Sequence, residues 1–167
     1  MDINNIVVPI DFSEGSLAAL KAAEDLARKF GAKLHLFHSH PINFAASSPY
    51  APVLPPYYFE DLTIAAKNQL HDWRLKHCDD DLQVDEHLSE LPAAVAIVEF
   101  AGILPADLIV IGTRGLTGLK HVLLGSVAER VVQRAPCPVM SVKSAEQHAE
   151  ASKLQAQSDH AMEGWVV

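Results

Sequence analysis

Cysteine is scarce: Cys78 and Cys137 are the only two in 167 residues. Their separation fits no metal-ligand spacing, and two thiols make no disulfide framework. Excess positive charge is missing too. Thirteen Lys and Arg against twenty-one Asp and Glu leave a formal charge of −8. That balance argues against gripping a nucleic-acid backbone and against docking on an anionic membrane surface. No stretch approaches the roughly 20 apolar residues of a membrane span. The start, MDINNIVVPIDFSEGS, has no basic segment ahead of its short apolar run, so no signal peptide is expected. Two common nucleotide fingerprints, GxxxxGK[ST] and GxGxxG, are also absent. The expectation is a cytoplasmic protein with no nucleic-acid or membrane partner.

What is present is a chain of one-domain length, 49% apolar, enough for a core at this size. Asn4 to Asp11 is an apolar run without alternation, the pattern of a strand buried on both faces. Ser13 can cap a following helix whose apolar face is Ala19, Leu20, Ala23, Leu26, Ala27 and Phe30, with Gly31 as its stop. Lys33 to Ser39 is a second strand. Pro41 to Pro56 holds five of the ten prolines and cannot be regular structure. Phe59, Leu62, Ala66, Leu70 and Trp73 then mark a second helix ending near Asp79-Asp80-Asp81. Leu82 to Leu88 is a weaker strand. Pro92 suits the first turn of a third helix with Ala94, Ile97, Val98 and Ala101 inward. Leu108 to Ile111 is the strongest strand, with Gly112 directly after it. A last helix covers Ser126 to Arg134, where Ser126 and Glu129 have capping-box spacing, and Pro138 to Lys143 is a final strand. This alternation predicts a doubly wound α/β fold with a parallel sheet. Ligands of such sheets sit at strand carboxyl ends, where Asp11, His38-Ser39 and the loop from Gly112 all fall.

That loop, GTRGLTGLKHVLLGS, has glycines at 112, 115, 118 and 125. Glycine lets backbone amides approach an anion, and the helix starting near Ser126 offers unpaired N–H groups. Arg114 and Lys120 are the nearby cations. Glycines between a strand and a helix serve turns equally well, and Ser126 is as readily a cap. Spacing alone leaves both readings open.

The pattern Gly112-x2-Gly115-x9-Gly125-Ser126, with the opening VVPIDFSEGSLAAL and the segments DLIVIGTRG and LLGSVAERVVQRAPCPVMSVK, resembles the ATP-binding subgroup of the universal stress protein family. The resemblance covers roughly residues 3 to 143. It implies five parallel strands in order 3-2-1-4-5 with helices on both faces, and a regulator of the stress response working as a homodimer through Pro138–Val142. It implies ATP held at Pro9, Ile10 and Asp11, at Ser39, and at Gly112, Arg114, Gly115, Gly125, Ser126 and Val127. Asp11 is then a ligand of ribose or adenine and a candidate magnesium partner, though capping the turn into the first helix would also suit it. With no second acid to orient water and no evident general base, slow ATP hydrolysis is the most that is expected. A weak phosphorylating enzyme and a ligand-free scaffold are the alternatives.

The domain is expected over residues 1–143 with an insert at 41–57, and residues 144–167 as a polar tail, mobile or weakly helical. Tyr50, Tyr57 and Tyr58 of the insert either touch an unknown protein partner, pack over the pocket or support the dimer. His35, His38 and His40 do not converge on one strand face, so they read as surface or pocket-edge residues and no metal site is expected. Asp79 to Asp81 reads as a solvated helix exit, and Cys137, between two prolines, as an inert thiol.

Overall fold

Ile6, Val7 and Val8 are wholly buried, because successive side chains of a central strand point into opposite layers. In the computed structural model, which describes residues 2–41, 56–113, 115, 124–145, 147 and 149, this strand is β1 (Asn5–Pro9). It is followed by α1 (Glu14–Phe30), β2 (Lys33–Ser39), α2 (Pro56–His77), β3 (Val84–Ser89), α3 (Ala93–Ile103), β4 (Leu108–Gly112), α4 (Ser126–Arg134) and β5 (Val139–Val142). All strand pairs are parallel, in order β3-β2-β1-β4-β5, as the resemblance implied. The stretch 42–55, residue 114, the loop 116–123 with Lys120, and the tail beyond 149 lie outside the described residues, and with them the expectations placed on Arg114, Tyr50 and the insert.

The sheet carries helices on both faces. Ile6, Val8, Leu34, Leu36, Leu108 and Val110 pack with Ala19, Leu20, Ala23 and Ala27 of α1 and Leu70 of α2. Val7, Phe37, Ile109 and Ile111 pack with Ala96, Ile97 and Ala101 of α3 and with Ala128 and Val131 of α4. Leucines as fully enclosed as Leu20, Leu34, Leu36 and Leu70 each contribute about 1.5–3 kcal/mol through burial. Helix α1 begins where Ser13 Oγ accepts the Ser16 amide and ends at Gly31, whose φ of 69° is the left-handed conformation glycine adopts without strain.

Several sequence expectations need correction. Leu62 and Phe30 are exposed rather than inward, and Ala96 takes the buried place expected for Ala94 and Val98. Gly112 is the last residue of β4, not the first of the loop. No capping box forms at Ser126. The Gly125 amide donates to the Thr113 carbonyl at 2.7 Å, which keeps Gly125 extended as the N-cap and makes Ser126 the first helical residue. The acidic run is also not simply solvated. Arg28 pairs with Asp79 and Asp81, and buried Glu24 takes Lys21 Nζ at 2.8 Å and the Asp79 amide at 3.1 Å. These bonds fasten the exit of α2 to α1, and the guanidinium holds the Asp81 carboxyl below its ordinary range.

The tail begins tied down. Thr113 Oγ1 donates to Gln147 Oε1 at 3.0 Å, the Ser144 amide donates to the same oxygen at 2.9 Å, and Ser144 and Gln147 are both buried.

Gly112 stands where two backbones meet: a Cβ there would lie 2.6 Å from the carbonyl carbon and oxygen of Gly15. Gly112→Ala is therefore expected to destabilise the ligand-free protein by about 1–3 kcal/mol, the usual cost of overpacking, measured by urea denaturation. Unchanged stability would mean that the two segments are not in contact.

Candidate functional site

A cavity of about 330 Å3 opens at the carboxyl ends of β1, β2 and β4, beside the N-termini of α3 and α4. Crossovers from β1 and β4 diverge to opposite sides here, which leaves a crevice no connection fills. Of the residues implicated by the resemblance, Pro9, Ile10, Asp11, Ser39, Gly112, Gly115, Gly125, Ser126 and Val127 all line it. Residues more than a hundred positions apart are thereby brought to one wall.

Asp11 has two tasks. Its Oδ1 accepts the amide of Ser13 at 3.1 Å and the Ser13 hydroxyl, so the turn-fastening role is real. Its Oδ2 faces Gly115 so closely that a Cβ on that residue would overlap it. Between these anchors Phe12 is held at φ 65°, a conformation a bulky residue adopts only when its surroundings impose it. Its ring packs against His38 and Trp73, with centroids 4.6 and 6.2 Å away. The strained residue directly follows Asp11, whose carboxylate Ser13 holds.

The opposite wall is the start of α4. The first amides of a helix lack carbonyl partners within it, and the helix dipole adds partial positive charge there. Ser126, Val127 and Ala128 of this first turn all face the cavity. Gly125 supplies shape and not a donor, because its N–H is already given to Thr113. Ser39 lines the cavity as expected, yet its hydroxyl donates to the Leu91 carbonyl at 2.6 Å.

Sequence reasoning missed Ser16, Phe37, Ala93, Ile97, Ile111, Thr113 and Ala128, which also line the cavity. Two signals were available. Phe37 lies two residues before Ser39 on the same strand face, and Ala93 and Ile97 are one helical turn apart. Asp11 is the only ionisable side chain among the described lining residues.

The histidines of β2 diverge as their alternation requires, but His35 is neither surface nor pocket edge. It is 3% exposed, with Nε2 3.1 Å from Asn5 Oδ1 and Nδ1 3.1 Å from His87 Nε2 on β3. His38 Nδ1 lies 2.7 Å from the Ile10 carbonyl. Burial pushes the pKa of His35, His38 and His87 below the ordinary imidazole value. Burial likewise pushes the Cys137 thiol up, consistent with an unreactive side chain.

Comparison with known proteins gives a consistent result. The model of the universal stress protein family matches residues 2–143. A universal stress protein of Methanocaldococcus jannaschii is 37% identical over 142 residues, spanning 83% of this chain and 81% of that one. The structure of the universal stress protein UspA from Lactobacillus plantarum superposes with a TM-score of 0.70 at 26% identity, covering 85% and 99% of the two chains. A universal stress protein from Archaeoglobus fulgidus, solved in complex with dAMP, gives a TM-score of 0.60 at 28% identity over 86% and 100%.

The lowered imidazole pKa values have a consequence for stability. The folded chain keeps these rings neutral, whereas the unfolded chain takes up protons near the ordinary value of about 6.5. Their contribution is complete above that pH and is lost as pH falls through it towards the depressed folded values. Asp81, Asp85 and Asp107, held low by Arg28, Lys33 and the amides of Asn4 and Asn5, add a second loss in the carboxylate range. Denaturation midpoints in metal-free buffer should be level from pH 8 to 7 and decline towards pH 5, less steeply in His87→Gln. A flat profile for the unsubstituted protein would contradict the burial of these rings.

Proposed function

The chain belongs to the universal stress protein family, and we propose that it is a regulator of the stress response that binds an adenine nucleotide, ATP, as a cytoplasmic homodimer. The observation that carries this reading is the single cavity shared by the ends of β1, β2 and β4 and the start of α4. The apolar side chains of Phe37, Ala93, Ile97, Ile111 and Val127 suit a base. Asp11 is the acceptor for a sugar hydroxyl and the residue to meet magnesium carried with the nucleotide. The amides opening α4, which have no carbonyl partner within the helix, suit phosphate oxygens together with Ser126. The neighbour that binds dAMP supports an adenine nucleotide as the ligand class.

Regulation rather than catalysis is the role proposed. Phosphoryl transfer needs a positioned nucleophile and cations on the moving group, and the described lining offers one carboxylate, Asp11. At most slow hydrolysis would accompany binding. For the dimer, among the described residues β5 is an edge of the sheet, paired with β4 alone, and Met140 on it is 41% exposed. An unpaired edge strand is a template for a second chain.

Calorimetric titration of ATP with magnesium into nucleotide-stripped protein tests the site. Binding is expected in the unsubstituted protein and should weaken by at least about tenfold, roughly 1.4 kcal/mol, in Gly115→Val, whose branched side chain displaces the Asp11 carboxylate. No heat in the former, or equal affinity in a folded variant, would overturn the reading. Met140→Asp should shift the mass measured by light scattering from dimer to monomer, and an unchanged mass would exclude β5 as the interface.

A further inference from the structure

One polar group sits apart from the cavity, on the sheet face that α3 covers. Strand register places Asp85 of β3 directly beside His35 of β2, and alternation returns His87 to the same face two residues on. One ligand atom each from His35, Asp85 and His87 lies within 4.8 Å of the others. None of the three lines the nucleotide cavity.

The state of the imidazoles can be worked out. Asn5 Oδ1 is an acceptor only, so His35 Nε2 carries the proton donated to it across 3.1 Å. In the neutral ring Nδ1 is then a bare lone pair, aimed at His87 Nε2 at 3.1 Å. An oxygen acceptor that fixes the distal N–H of a histidine, here the Asn5 side-chain carbonyl, orients it as a metal ligand. Burial keeps both rings neutral, the form that coordinates. Phe100 closes the site from α3, its ring centroid 4.5 Å from His87 and 6.4 Å from His35.

From this geometry we infer that His35, Asp85 and His87 bind one divalent cation of the zinc class. With metal–nitrogen bonds of about 2.0–2.1 Å, nitrogens 3.1 Å apart subtend roughly 95–102°. The cation lies off the line joining the nitrogens, so both rings turn towards it as their separation widens to about 3.3 Å for the tetrahedral angle. Two imidazoles and a carboxylate are a donor set for zinc, cobalt or nickel rather than for magnesium or calcium, and water takes the fourth position. The cation replaces the hydrogen bond between the rings, and His87 then carries its proton on Nδ1. Lys33 is the competitor: its Nζ lies 2.6 Å from Asp85 Oδ2. Its side chain is 38% exposed, so the ammonium can move into solvent when the cation takes the carboxylate.

The test is titration of chelator-stripped, full-length protein with zinc by calorimetry and with cobalt by visible absorption. One equivalent is expected, with cobalt bands of four-coordinate intensity. His87→Ala and Asp85→Asn should each abolish the bands, and Asn5→Ala should weaken binding about 10–100-fold, as losing an outer-shell partner does. His71→Ala, a histidine paired instead with Glu86, should bind as the unsubstituted protein does. Zinc should also move the imidazole proton resonances of His35 and His87 in the unsubstituted protein, a readout that stands even if a variant fails to fold. Absence of stoichiometric uptake, equal uptake by folded His87→Ala and Asp85→Asn, or unmoved His35 resonances would overturn the assignment.

Discussion

The contact of the Gly112 backbone with the Gly15 backbone sets the geometry of everything at the carboxyl end of the sheet. The missing Cβ of Gly112 lets the first turn of α1 lie against the last residue of β4, closer than a side chain there would permit. With α1 seated there, Ser13 and Ser16 stand next to the end of β1, and Asp11 is fixed by Ser13. Thr113, just past the contact, holds Gly125 through its carbonyl, the end of β5 through its amide and the tail through its hydroxyl. The start of α4 and Gln147 are thus both positioned from one residue beside the cavity. Occupancy of the cavity and docking of the tail have Thr113 in common.

The fold was legible because its signals are local and repeated. Non-alternating Val and Ile runs give buried parallel strands, and helical periodicity gave α1 and α4 nearly to the residue. The strand order was not in those patterns; it came from the resemblance carried by the glycine spacing. Apolar periodicity failed at Leu62 and Phe30, which are exposed, because spacing names a helix face and not how much of that face is covered.

For the site, residue types at chain turns were legible and partners across the sheet were not. Asp11, Gly115 and Ser126 stand at points where a strand or helix ends, and such points can be read in one dimension. Phe37 and Ile97 reach the cavity from the interior of their elements and look like ordinary core. The same limit hid the His35–His87 pair: alternation within β2 separated His35 from His38, but only the register with β3 shows what His35 meets. Ser126 gives the opposite lesson, since a capping-box spacing was present and Gly125, whose amide donates to Thr113, takes the N-cap position instead.

The central claim is that the nucleotide enters between Asp11 and the first turn of α4. Amide chemical-shift mapping of labelled protein, with and without saturating ATP and magnesium, tests it most directly. The account requires the largest changes at Asp11, Gly115 and Ser126 to Ala128, smaller ones at Ser39 and Ala93, and none along the outer face of β3. Changes concentrated elsewhere, or none while the protein remains folded, would contradict it.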